Sequence, residues 1–169
     1  TFYNAQRLFS DAEDEVFKSR RDFLEKSGPV RVFTIPATAR QKFQSSIEKN
    51  SKILTFYPDS KWVDDALLMI GKAYFYMEDD VRAERKFSEL TVQFPQSDLI
   101  LESRLWLGKS LLRQKKIEAG LKQLDDLFAA TLESDEDLAG LAANEMAQHY
   151  FGLNDYVLAE KYYSLAAVI

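Results

Sequence analysis

The chain has 169 residues, 46% of them hydrophobic and 29% charged, with four prolines, six glycines and a net charge of −5, a composition that belongs to a globular domain or a short repeat array rather than a linker. Its 22 lysines and arginines are scattered along the sequence, so the basic stripe that a phosphate backbone rewards is missing and nucleic acid is excluded as an expected partner. The absence of cysteine excludes disulfides, thiolate zinc sites and cysteine nucleophiles, and no apolar run approaches the ~20 residues of a membrane span.

Residues 2–25 place Phe2, Ala5, Leu8, Phe9, Ala12, Val16, Phe23 and Leu24 at helical spacing, which predicts one long amphipathic helix. Gly28, Pro29 and Pro36 bracket a loop. A second helix is expected over about Ala37 to Phe56, burying Ala39, Phe43, Ile47, Ile53 and Leu54, and ending before Pro58 because the residue ahead of a proline resists the helical region. Beyond it, "FYPDSKWVDDALLMIGKAYF" sets Gly71 in the middle of an apolar helical run, where a glycine costs about 1 kcal/mol relative to alanine. Ser60, Ser97 and Ser134 are expected N-caps, the last followed by Asp135, Glu136 and Asp137 in a first helical turn that favours negative charge. Asp79-Asp80 and Asn154-Asp155 read as tight turns. The whole gives an all-α chain of about eight antiparallel helices in four pairs.

The glycine recurs. Gly108 follows Gly71 by 37 residues, and each is preceded at the same distance by an aromatic-Pro-x-Ser block and followed by a lysine, Lys72 or Lys109. A third copy centres on Ala147. In all three a small residue comes 12 positions later (Ala83, Gly120, Ala159) with a bulky one four beyond it (Phe87, Leu124, Tyr163). A fixed period decides architecture: small residues fall where helices approach, and bulky ones where a core must be filled.

These offsets resemble the tetratricopeptide repeat (TPR). The copy from Asp64 to Phe94 matches with Leu67, Ile70, Gly71, Tyr74, Ala83, Phe87 and Leu90, then Pro95. The second copy departs from the pattern, with Arg104 at the large position and Leu132 where proline is expected, and the third carries Ala143, Met146, Ala147, Tyr150, Ala159, Tyr163 and Ala166. The resemblance implies an α-solenoid, a right-handed superhelix forming one domain: an atypical first pair (1–58) followed by repeats over 59–96, 97–134 and 135–169. It also implies that the first helix of each pair lines a concave face. Residues one turn off the packing register then form an expected groove for a protein or extended peptide. They are Asp65, Leu68, Lys72, Phe75 and Tyr76 in the first full copy, and Glu102, Leu105, Lys109, Leu112 and Arg113 in the second. Asn144, Gln148 and Phe151 belong to the third. Lys72, Lys109 and Gln148 are expected in line, beside an apolar strip of Phe75, Leu112 and Phe151, an arrangement suited to peptide backbone and side chains.

No catalytic set is legible. His149 is the single histidine, four residues after Glu145, and that pair is too few ligands for a closed metal site and lacks a nucleophile for general-base work. Neither a phosphate loop nor a serine elbow occurs. The expectation is therefore a chain with no enzymatic activity, cofactor or metal.

The placement of aromatic-Pro-x-Ser before the glycine, and the opening "TFYNAQRLFSDAE", are similar to BamD-like bacterial outer-membrane lipoproteins and to the periplasmic coordinator of the Tol–Pal system. That resemblance implies a non-enzymatic scaffold of the cell envelope at the periplasmic face of the outer membrane, acting in outer-membrane protein assembly. With Thr1 and not a methionine first, the chain is expected to be a piece of a longer one, its signal and lipid-anchored cysteine lying outside. Three alternatives stand beside this reading. One is the TPR arm of a larger transglycosylase-like envelope enzyme, another a secretion or gliding-motility lipoprotein. The third is a carboxylate-clamp co-chaperone, which Leu68 and Lys72 do not supply.

Overall fold

In the computed structural model, residues 2–26 and 32–168 are described. Among them are eight helices and no strand: α1 (Phe2–Lys26), α2 (Ala37–Phe56), α3 (Val63–Tyr76), α4 (Asp80–Gln93), α5 (Ile100–Arg113), α6 (Ile117–Thr131), α7 (Glu136–Gly152) and α8 (Tyr156–Val168). The second helix has the bounds its sequence predicts. Of the expected loop, residues 27–31, including Gly28 and Pro29, lie outside the described residues, and residues 32–36 lead without regular structure into α2. The chain divides into two compact units, Thr1–Lys86 and Phe87–Ile169, the boundary falling inside α4.

In the first unit α1 packs against α2 and α3. Its buried residues Phe2, Ala5, Phe9, Ala12 and Val16 recur at alternating steps of three and four, the spacing that keeps one stripe turned to a neighbour. Phe43, fully buried, stacks on Tyr76 at 5.3 Å and meets Phe9 at 5.4 Å. A polar seam runs beside these rings. Ser46 donates to the Ala5 carbonyl at 2.8 Å, and the Asn50 amide donates to the Met69 sulfur at 3.1 Å. Both residues are fully buried, and these bonds offset most of their desolvation, although Asn50 Oδ1 has no hydrogen-bond partner.

In the second unit Leu105, Leu124, Leu127, Leu138, Ala142 and Met146 form an aliphatic core across α5, α6 and α7. Here the glycines explain themselves. A Cβ on Gly108 would stand 2.7 Å from the Leu124 side chain, and one on Gly120 would stand 2.8 Å from that of Leu112 and 3.0 Å from its backbone nitrogen. Position 108 thus faces 124 while 112 faces 120, the crossed order of two antiparallel helices. The helices meet where neither has room for a methyl group, so the helix-propensity cost of glycine is accepted for close approach. Gly71 holds the same register and is buried in α3.

The turns inside the repeats share one backbone device. Glu78, Lys115 and Asn154 have φ of 65°, 64° and 61° and lie at the same point of successive repeats. Around each, two backbone bonds close the helix end; at the second turn Lys115 N–H reaches Leu112 O and Lys116 N–H reaches Leu111 O, both at 3.0 Å. This is the Schellman closure, usually built on glycine. The following residue caps the next helix in two turns of the three: Asp79 accepts from the Arg82 N–H at 3.1 Å and Asp155 from the Leu158 N–H at 3.1 Å. Lys116, at the same point, makes no side-chain cap for α6.

The expected serine caps are corrected. Ser60 and Ser97 accept from the N–H groups of Trp62 and Leu99 at 3.3 and 3.1 Å, so they close the turn before the helix instead of its first residue. For α7 the cap is Asp135, which accepts from the Leu138 N–H at 3.0 Å, because an aspartate reaches an N3 donor at full charge.

Candidate interaction surface

The residues expected in the groove separate into three groups. Leu68, Phe75 and Leu105 are buried, 7%, 9% and 4% exposed. They belong to the interior and offer a partner no surface; on α3 and α5 the apolar side chains one turn off the glycine register turn inward. Leu112 is also partly buried and packs against the aliphatic core.

A second group is engaged within its own unit. Lys72 of α3 pairs with Glu13 of α1 at 3.7 Å and lies over the Phe9 ring at 5.5 Å. The Tyr76 hydroxyl donates to the same Glu13 at 2.7 Å. Lys109 of α5 pairs with Glu145 of α7 at 2.6 Å and sits over Trp106 at 4.7 Å, whose indole N–H donates to Glu102 at 3.2 Å. Each lysine that follows a glycine therefore ties the first helix of one pair to the first helix of a neighbouring pair. The recurrence of lysine, which reads in the sequence as spare charge for a partner, has a packing role. Asp65 is half-buried, and burial, with the Asp64 charge adding, pushes its carboxyl above the usual range.

The third group is open. Asn144 is half-buried, and Gln148 and Phe151 are exposed on α7, Phe151 by 56%. Leu141, 50% exposed, joins them, and at 100° per residue the four fall within one sector of the helix. The sequence reading missed Leu141, which its place seven residues before Gln148 signals. Arg113 is exposed at the end of α5. His149 lies beside this row with its ring edge-on to Tyr150 at 5.5 Å; its Nε2 is buried without a hydrogen bond. Burial, and secondarily the Lys115 charge, hold its imidazole below the ordinary range.

Several concavities mark the surface of the described residues. One of about 490 Å³ in the first unit is lined by Phe2, Phe56, Tyr57, Pro58 and Trp62, with Phe2 and Trp62 stacked at 4.4 Å. A smaller one, about 290 Å³, lies among Arg40, Tyr74, Asp79 and Arg82, where the Arg82 hydrogen bond holds Asp79 below the usual carboxylate range. Another, about 490 Å³ and mainly apolar, is formed by α8 and the end of α7. Among the described residues no group of three or more His, Cys, Asp or Glu side chains could hold a metal ion, and no helix is long and apolar enough to cross a membrane.

No protein-family model matches this chain, and no curated protein matches it in sequence. Among solved structures it is similar to TPR-like repeats of a kinesin-light-chain-like protein from Podosopora anserina, described as nearly identical repeats. The two share 11% identity with a TM-score of 0.59, over 99% of this chain and 92% of the other. The fold is thus an all-α solenoid of TPR-like helix pairs, as the small-residue register implies.

Proposed function

We propose that the chain is a non-enzymatic scaffold that binds an extended segment of a partner protein on the exposed face of α7. The observation that carries this is the row Leu141, Asn144, Gln148 and Phe151, which sets two amide groups between exposed apolar side chains on one helical face. Such a row can hold peptide side chains and peptide backbone together, and TPR-like folds generally serve protein–protein interaction. Within the same unit Lys109 is engaged by Glu145, and Arg113 adds an exposed cation. Placement in the bacterial envelope and a part in outer-membrane protein assembly belong to the same proposal; their support is the resemblance of the opening helix and the aromatic-Pro-x-Ser blocks to BamD-like lipoproteins.

Panning a peptide library against the chain tests the reading. Peptides selected on the native chain are expected to lose about tenfold or more in affinity with Leu141→Asp plus Gln148→Glu, with little change in melting, since exposed substitutions shift stability by under ~0.5 kcal/mol. The control Lys122→Glu, on the exposed side of α6, is expected to leave binding intact. Selected peptides that tolerate the α7 changes and are lost with the control would place the interaction on the opposite surface.

A further inference from the structure

The turn that joins one helix pair to the next is built twice with the same bonds. Ser60 N–H reaches Tyr57 O and Ser97 N–H reaches Phe94 O, both at 3.0 Å. Each serine hydroxyl then accepts from the N–H two positions on, that of Trp62 at 3.3 Å and that of Leu99 at 3.1 Å. What differs between the two turns is therefore not needed to fold them. The α2–α3 turn carries Phe56, Asp59, Lys61 and Trp62 where the α4–α5 turn has Gln93, Gln96, Asp98 and Leu99.

Three of those four residues, Phe56, Asp59 and Trp62, line the concavity of about 490 Å³ in the first unit, where Phe2 and Tyr57 add further rings. Phe56 and Tyr57 are 68% and 62% exposed. This rim is not opened by the start of the chain, because the α4–α5 turn, with helices before and after it, leaves Gln93, Pro95 and Gln96 exposed as well. Asp59 is the only carboxylate among the described lining residues, and none of them is basic. Ring faces and a carboxylate both favour positive charge. A cation of the chain itself already takes that place at the rim: Lys61 Nζ lies over the Trp62 ring, 4.6 Å from its centroid. With Phe2 also stacked on Trp62, the rings left for a ligand are those of Phe56 and Tyr57. An ammonium that bears N–H groups needs an acceptor for each once it leaves water, and the Ser60 hydroxyl is already engaged. A nitrogen that carries only methyl groups makes no such demand.

We propose that the concavity at the α2–α3 turn binds a quaternary ammonium, a trimethylammonium head resting on Phe56 and Tyr57 with Asp59 as its counter-ion. The site goes beyond the peptide-binding row of α7 and shares no residue with it.

The probe is choline, titrated into the chain and into the full natural protein while the indole N–H signals of Trp62 and Trp106 are followed by NMR. A saturable shift of the Trp62 signal is expected at about 1–10 mM, with the Trp106 signal unmoved. The neutral alcohol of the same shape, with carbon in place of nitrogen, is expected to bind about fivefold more weakly. Phe56→Ala and Tyr57→Ala are each expected to weaken choline about threefold or more, and Asp59→Asn about threefold. Glu48→Gln, the same loss of charge at an exposed position outside the concavity, is expected to change it by less than about twofold. Lys61→Gln is expected to strengthen binding about twofold, because it removes a competing cation. Phosphatidylcholine vesicles that displace choline assign the head to a lipid, and vesicles that fail to displace it assign the head to a soluble ligand; the proposal stands in both cases. No shift at about 50 mM choline, equal binding of the neutral alcohol, or weaker binding with Lys61→Gln, the mark of an anionic ligand, overturns it. So does binding to the chain but not to the full natural protein, which shows the concavity filled in cis.

Discussion

The core around Phe43 in the first unit and the core around Leu124 in the second do the same task with different materials. In the first, rings stack (Phe9, Phe43, Tyr76) beside a hydrogen-bonded seam of Ser46 and Asn50. In the second, aliphatic side chains close over two glycines that admit no Cβ without displacing a leucine. A helix pair can thus be held by large flat groups with directional contacts, or by removal of side chains until backbones nearly touch. The first tolerates loss of volume poorly, and the second tolerates gain of volume poorly.

Substitutions that exchange the two materials are the sharpest test. Phe43→Ala is expected to cost about 3–5 kcal/mol in urea unfolding, since it empties a fully buried site and removes a ring-stacking partner. Leu124→Ala, also fully buried, is expected to cost about 2–5 kcal/mol, partly recovered when Gly108→Ala is added, because the new methyl enters the space that the leucine vacates. Additive losses in that double variant would break the account of the glycines.

Next in size is a difference of sign. Gly108→Ala alone forces Leu124 to move in a dense core, at about 1–3 kcal/mol, against a helix-propensity gain of about 1 kcal/mol, so a net loss is expected. Gly152, near whose Cβ position nothing lies within 4 Å, is the matched site: Gly152→Ala is expected to be neutral or stabilising by up to about 1 kcal/mol. Melting shifts of the same sign for both would show that space is not what selects glycine at position 108.

The turns extend the comparison to backbone. Lys115 holds a left-handed conformation that costs a side chain about 1 kcal/mol, so Lys115→Gly is expected to stabilise by about that amount. Lys116→Asp gives α6 the cap that α4 and α8 possess, worth about 1 kcal/mol. Unchanged melting in both would mean that the α5–α6 turn is already relaxed.

The smallest effect expected is a pH dependence from His149. Its proton affinity is lowered by burial and by Lys115, so the unfolded chain binds the proton more readily. Stability is then full above about pH 6.5 and falls as pH drops through and below that value. Melting followed from pH 7.5 to 5.5, with His149→Gln flattening the slope, checks it.

Much of this was legible in the sequence because it depended on period. Helix count, the bounds of α2 and the small-residue crossings all follow from spacing along one chain. The groove was harder. Leu68, Phe75 and Leu105 share the helical register of exposed neighbours, and only the placement of adjacent helices turns them inward. The roles of Lys72 and Lys109 were hidden for a similar reason: their partners, Glu13 and Glu145, are far away in sequence and lie outside the repeat pattern that drew attention to the lysines. The caps failed by one or two residues: Ser60 and Ser97 bond the N–H two positions on, inside the turn, and at α7 the aspartate next to Ser134 takes the N3 donor.

The two lysine ties also bear on selectivity. A carboxylate arriving from a partner at Lys109 meets a cation already satisfied at 2.6 Å by Glu145, and it must evict that carboxylate before gaining anything. The exchange swaps one half-buried ion pair for another, so the net return is far below the energy of a new pair. Glu13 and Glu145 therefore act as resident competitors, a filter that turns away stray acidic groups. They yield only to a ligand whose other contacts carry most of its binding.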